Sequence, residues 1–539
     1  MLGPRKSFAY TETVHRPFAW LVLAAACLAT AAAPADPHLP ASFGEVRPAA
    51  LRAHMAFLAG DLLQGRGTAT REYEIAAKYV AAQFEAAGLE PGVNGGWLQP
   101  VPLRRSELDP EASSVEIVQP DGERKRLVFA EDYVMGGSLS PATEIEAPVV
   151  FAGYGITAPE LGHDDYAGVD AKGKIVAFLG GAPATFQREE RTYYASVKGQ
   201  NAVAHGAVGT LRLWSAEEEK SGPWSGVVRS LARSPTFTWL DGEEPHGSFP
   251  QLRGNAWLGP AVSGVPLRAR IIKKSVLTDA RSPNVVALLP GSDPRLRAEY
   301  VVFTAHLDHL GTGEAVNGDS IYNGAVDNAS GVAALIEIAR VFASLPERPR
   351  RSLLFVAFTG EEPGLLGSSY FVHHPPVPID SIVANVNIDG ASVWPYDGLI
   401  PRGAEHSTLA QVVEAAALAA GAKIVPDPFP DRVSFAGSDQ YSFVERGIPA
   451  LNVGTARSGE ARRLALEWVT TRYHAPSDDM QQPMDFTATA RFVRDLCFIG
   501  DFIAQDDERP RWNAGNFYGE RFGRATVDPF LSYPEERKP

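Results

Sequence analysis

The stretch Tyr300-Val301-Val302-Phe303-Thr304-Ala305-His306-Leu307-Asp308 decides the fold. An unbroken run of apolar and β-favouring residues reads as a strand buried on both faces, and this one ends on a histidine and an aspartate. Val285 to Leu289, Leu353 to Phe358 and Ile382 to Ile388 repeat the pattern. Helical stretches at Ala329–Leu345, Gly364–His373 and Thr408–Ala420 alternate with these runs. Alternation of strand and helix predicts an α/β fold, a mostly parallel mixed sheet sandwiched by helices. In such sheets chemistry gathers outside the strand ends, where His306 and Asp308 fall.

Outward from this core the texture changes twice. Leu51, Met55, Leu58 and Leu62 share one helical face, and Ile75, Tyr79, Val80 and Phe84 another, with Gly88 ending the second helix. Apolar runs at Ala147–Ile156, Lys174–Gly180 and Thr210–Trp214 read as strands, and Asn201–Val208 as a short helix. Residues 216–262 read as loops. The expected organisation is a leader at 1–35, a first part of the main domain at 36–143, a β-rich insertion at 144–276, the rest of the main domain at 277–506 and a polar, aromatic tail at 507–539.

With 539 residues the chain exceeds one ordinary core. Hydrophobic content of 45% and charged content of 21% are those of a folded protein. A net charge of −14 disfavours nucleic acid as a partner. Arg5, Lys6 and Arg16 precede the apolar run Phe18 to Leu28 and then alanine-rich sequence. This is the pattern of a secretory signal, with cleavage expected after Ala33 or Ala35, no stable membrane span after its removal, and a secreted or periplasmic product. Cys27 would be discarded with the signal, a lipid anchor there being the alternative. Cys497 is the other cysteine and cannot form an internal disulfide once Cys27 is gone.

Four short motifs carry the chemistry: Ala305-His306-Leu307-Asp308, Val326-Asp327-Asn328, Thr359-Gly360-Glu361-Glu362 and Asn387-Ile388-Asp389-Gly390, joined by a late Arg472-Tyr473-His474. Zinc takes imidazole nitrogen and carboxylate oxygen, and a catalytic site leaves room for water. A paired site needs a histidine and a carboxylate for each ion, plus one bridging carboxylate. His306, Asp327, Glu362, Asp389 and His474 can supply those five ligands. Glu361 can stay free as the base, since adjacent side chains in extended chain point apart.

Residues His306 to Gly331 resemble the aminopeptidase Y and bacterial leucyl aminopeptidase family of cocatalytic zinc peptidases. So do Phe355 to Glu362 followed by Gly364-Leu365-Leu366-Gly367-Ser368, Tyr473 to Asp479, and Leu58 to Arg66. The resemblance implies a zinc exopeptidase-like fold of the phosphorylase/hydrolase type and two zinc ions per chain. His306 and Asp389 would hold one ion, Glu362 and His474 the other, and Asp327 would bridge, with a cis peptide following it. Glu361 would be the general base, Asp308 the carboxylate orienting His306, and Tyr473 a donor to the developing oxyanion. The insertion resembles a protease-associated domain through Val149 to Ile156, Lys172 to Val176 and Asn201 to Gly209.

The implied activity is removal of N-terminal residues from peptides with a free N-terminus. A dipeptidase or a glutamate-type carboxypeptidase on the same scaffold is the alternative, and it requires a cation facing the substrate carboxylate, from Arg402, Arg432, Arg457 or Arg472. A glutaminyl cyclase works with one zinc, which the full ligand set disfavours, and the intact Glu361 disfavours a non-catalytic receptor-like homologue. His309 reads as an ordinary hydrogen-bonding residue, Asp319 as a loop residue and Ser330 as a helix start. Ser438-Asp439-Gln440 stands between pocket wall and capping segment. Asp478 and Asp479 are expected to tie down the loop of His474.

Overall fold

A computed structural model describes residue 43 and residues 46–215, 218–219, 224–233, 235–240, 251–253, 266–428 and 434–523. The expected signal segment with Cys27, and Arg432, lie outside the described residues.

The strands that matter for the site are β1 (Leu98–Leu108), β2 (Leu267–Leu289), β3 (Tyr300–His306), β4 (Ser352–Phe358), β5 (Ile382–Asn387), β6 (Gly398–Arg402) and β7 (Ala450–Ala456). Across the main sheet they follow the order β6-β7-β5-β3-β4-β2, and β1 pairs with β2. Strands β3, β4, β5 and β7 are parallel. At the flanks β6 runs antiparallel to β7 and β2 antiparallel to β4. The result is the mostly parallel mixed sheet expected from the sequence.

Every residue of β4 and β5 is buried, because both faces of the sheet are covered. On one face Phe303, Phe355 and Val386 pack with α1 (Pro48–Leu58), α2 (Arg71–Ala86), α3 (Ser330–Ala343), α5 (Leu409–Ala420) and α6 (Phe486–Gln505). On the other, Val302, Leu354 and Val356 meet α4 (Leu366–His373) and the turn of helix Gln440–Val444. Phe303 and Phe355 stack with ring centroids 5.6 Å apart. Truncating such a buried ring to alanine costs about 3–5 kcal/mol.

Leu62 departs from its expected face and is 92% exposed. Helix α1 ends at Leu58, and Asp61–Arg66 turns back in tight 3-10 geometry. Gly65 makes the turn at φ 71°, where a Cβ would stand 2.3 Å from the Tyr322 carbonyl oxygen, a position for glycine alone. Ile75 is likewise exposed, while Tyr73, Val80 and Phe84 fill the interior.

Strand β2 is continuous from 267 to 289. Its first part pairs with Ala142–Phe151 and Ser114–Val118, and its last part with β4. The boundary expected at 276/277 falls inside this strand, and strands as early as 114–118 and 124–126 join the second sheet. In that sheet Ala142–Phe151, Ile175–Leu179 and Gly209–Trp214 run parallel. The expected helix at 201–208 spans Lys198–Ala204.

Part of the region read as loop is ordered as helix Trp224–Arg233 and strand Thr236–Trp239. That strand pairs with Leu103–Ser106 of β1, a partner far away in sequence that local composition does not reveal. In the tail, Tyr518 and Phe522 of helix Phe517–Phe522 insert into the core on the α4 face of the sheet. Among the described residues no helix is long and apolar enough to cross a membrane.

Candidate metal centre

His306 is the last residue of β3, and Asp389 lies two residues past the end of β5. Glu361 and Glu362 follow β4, and Asp327 sits in the turn that opens α3. His474 closes a loop at φ 55°. Parallel strands bring their C-terminal ends to one rim, so residues 168 positions apart in the chain can meet there.

The donors converge in a symmetrical pattern. His306 Nε2 lies 3.2 Å from Asp327 Oδ1 and 3.3 Å from Asp389 Oδ1. His474 Nε2 lies 3.2 Å from Asp327 Oδ2 and 3.2 Å from Glu362 Oε2. Asp327 thus gives one oxygen to each histidine. Glu361 joins His306 and Glu362 in a further group whose ligand atoms lie within 4.8 Å of one another. Two imidazole nitrogens and three carboxylates, one split between both sides, are the donor chemistry that suits two zinc ions sharing a bridging ligand.

Electrostatics point the same way. Burial alone would push Asp327 up, yet the hydrogen bonds from His306 and His474 hold it well below the usual carboxylate range. Against burial and the Asp327 charge, His309 and His474 hold Glu362 down to about 2. Glu361 goes the other way: burial, opposed by His306 and reinforced by Asp389 and Glu362, raises it well above its ordinary value. The two neighbouring carboxylates thus shift in opposite directions.

Asp308 corrects one expectation. The sequence assigned its carboxylate to His306, but His306 Nδ1 donates to the Asp308 backbone carbonyl at 3.1 Å. That bond leaves Nε2, which faces Asp327 and Asp389, as the nitrogen available to a metal. The Asp308 carboxylate instead accepts the N–H of Glu361 at 3.1 Å, the N–H of Glu362 at 3.4 Å and the hydroxyl of Thr68 at 2.8 Å. The side chain points away from the imidazole of the same strand end and reaches the neighbouring one, where it fixes the Glu361-Glu362 turn.

The peptide between Asp327 and Asn328 is cis. Asn328 Oδ1 accepts the N–H groups of Gly331 and Gly390, both at 3.0 Å, and its amide donates to the Ile388 carbonyl at 2.9 Å. It therefore ties the turn of Asp327 to the turn of Asp389. Ser330 starts α3 and donates to Val326 O at 2.7 Å. Tyr473 is half exposed, with its ring stacked on His474 at 3.9 Å. Partial burial and then the Asp327 and Glu362 carboxylates raise its phenol above the ordinary value, keeping the hydroxyl a donor. Asp439 is fully buried and, through burial, pushed up to about 7.

Sequence reasoning passed over Arg66 and gave His309 no part in the site. The guanidinium of Arg66, fully buried, donates to the carbonyls of Leu58, Leu307, Asn323 and Gly324. It thereby holds the loops of His306 and Asp327 from below.

Fold and donor set together define an α/β domain with a candidate metal centre at its strand ends. Residues 284–497 match the model of Peptidase family M28. Aminopeptidase YwaD of Bacillus subtilis (strain 168) is 29% identical over 224 residues, 41% of this chain and 40% of that protein. A probable glutamate carboxypeptidase of Arthroderma benhamiae is 24% identical over 266 residues, 43% of this chain and 32% of that protein. The match to each thus spans less than half of the relative's length. The solved aminopeptidase from Aneurinibacillus sp. strain AM-1 shares the fold, with a TM-score of 0.53 at 20% identity, covering 87% of this chain and 96% of that one.

Proposed function

We propose that the protein is a two-zinc exopeptidase that removes N-terminal residues from peptides. The observation that carries this reading is Asp327, whose two oxygens lie 3.2 Å from His306 Nε2 and 3.2 Å from His474 Nε2. His306 and Asp389 would hold one ion, His474 and Glu362 the other, and Asp327 both. When bound, the ions acidify water and polarise the scissile carbonyl.

The chain's own groups do the rest. Glu361, held by its N–H on Asp308 Oδ1 at 3.1 Å, takes the proton of the attacking water and delivers it to the leaving amine. Tyr473, on the open side of His474, donates to the oxyanion as it forms. The second sheet, which resembles a protease-associated domain, would shape the cleft. The leader would export the protein, and amino-terminal sequencing of secreted material beginning at Pro34 or Asp36 would support that.

A carboxypeptidase is the second reading, and Arg457 favours it. Arg402 pairs with Asp427 at 2.7 Å, and Arg472 donates to Ser477 O at 3.0 Å with Glu467 3.6 Å away. Arg457 has no acidic partner among the described residues. Its guanidinium donates to Thr455 O at 3.3 Å and Ser392 Oγ at 3.1 Å and lies over the Trp394 ring. Ser392 is three residues from Asp389.

Matched peptides blocked at one end, assayed with and without chelator, separate the two. Chelator-sensitive cleavage of carboxy-blocked peptides with failure on amino-blocked ones supports the aminopeptidase. The reverse pattern supports the carboxypeptidase.

A further inference from the structure

His309 lies one residue beyond Asp308 and is 1% exposed. Its Nδ1 is 2.6 Å from Glu362 Oε1, while the other oxygen of Glu362, Oε2, faces His474 Nε2 at 3.2 Å. A carboxylate only accepts, so Nδ1 carries the proton and donates. Nε2, on the far side of the ring, is buried without a hydrogen-bond partner among the described residues. The ring is also wedged in place. Gly324 packs so closely that a Cβ there would stand 2.5 Å from His309 Cγ, and the His309 N–H donates to Arg66 O at 3.2 Å. Among the described residues, the hydrogen bonding of this imidazole is thus spent on one oxygen of one carboxylate.

We propose that His309 is a positioning residue that engages one oxygen of Glu362 and leaves the other as a single-point metal donor beside His474. This rests on the reading of Glu362 as a metal ligand. A carboxylate with both oxygens free can chelate an ion through both of them or swing between modes. Held at Oε1 by a charge-assisted hydrogen bond, Glu362 would offer Oε2 alone to an ion beside His474, leaving room there for the water that a catalytic zinc requires. Hydrogen bonds of this kind are worth about 10–100-fold in metal affinity.

The test uses the full-length protein as His309→Leu and His309→Asn, with zinc titrated against a chromophoric chelator and the cobalt-loaded forms read by visible absorption. Metal-free melting temperatures establish that each variant folds, and His309→Met replaces His309→Leu if the latter does not. The expected result for His309→Leu is an unchanged first ion and a second ion bound about 10–100-fold more weakly. Its cobalt absorption falls as Glu362 adds a second oxygen. His309→Asn, whose amide N–H reaches the same carboxylate, recovers most of the loss.

Equal second-ion affinity in wild type and His309→Leu overturns the proposal. So does equal loss in folded His309→Leu and His309→Asn, which would mean that packing alone matters, and so does a zinc-loaded structure with His309 Nδ1 on the metal. Uptake of fewer than two ions by wild type overturns the two-metal reading itself.

Discussion

Asp478 accepts the backbone N–H of Asp327 at 3.1 Å, joining residues 151 positions apart. The same carboxylate takes the N–H of Val326 at 3.2 Å, Trp468 Nε1 at 2.9 Å and Gln482 Nε2 at 2.6 Å. One fully buried side chain thereby fixes both the turn that presents Asp327 and the loop that presents His474. Asp478→Ala leaves several buried donors unpaired. The expected loss is about 3 kcal/mol of stability and roughly tenfold or more in zinc affinity. Chemical denaturation and chelator competition measure the two, and an unchanged zinc affinity would remove Asp478 from the architecture of the site.

Glu361→Gln keeps the N–H that bonds to Asp308 and removes the proton acceptor. Turnover should fall about 10²–10⁴-fold with two zinc ions still bound by elemental analysis. A variant that turns over at the wild-type rate would mean that the base lies elsewhere.

Removing metal leaves Asp327, Glu361, Glu362 and Asp389 crowded around two histidines. Chelation should therefore lower the melting temperature, and added zinc should restore it in proportion to ligand excess, about 2.7 kcal/mol at a hundredfold excess over Kd. Calorimetry with and without chelator reads this directly. A melting temperature indifferent to chelator and to zinc would count against a metal centre here.

Asp501 lies in α6, 4% exposed, and accepts one hydrogen bond from Gln505 at 3.2 Å. Burial pushes its carboxyl up to about 6, against the opposing effect of that bond. The folded protein therefore holds this proton at a pH where the unfolded chain has released it. The stabilising contribution is full below about pH 4 and is lost as pH rises through 6. Asp501→Asn should be more stable than wild type at pH 8, by about 2–3 kcal/mol, and the gap should close by pH 4. Denaturation curves at the two pH values decide it, and a gap that widens in acid would reverse the assignment.

Much of this was legible in the chain. Buried strands such as β4 read as continuous apolar runs because both their faces are covered, and the donors announce themselves at the ends of those runs. What escaped reading were contacts made across sequence. The direction of the Asp308 carboxylate depends on where β4 ends beside β3, which no spacing within Ala305–Asp308 encodes. Leu62 fits a helical face by periodicity, but the helix ends at Leu58 and the chain is already extended at Gly60. His309 looked ordinary because its partner, Glu362, is 53 positions away.

Strand β2 carries a last consequence. Its first residues, 267–274, pair in the second sheet, and its last, 285–289, pair with β4, which leads into Glu361 and Glu362. The two sheets are welded through a shared β-backbone instead of being hinged on a linker. Engineers cannot lift out the second sheet as a cassette: the cut would sever a strand paired with the one that leads into the proposed base, Glu361.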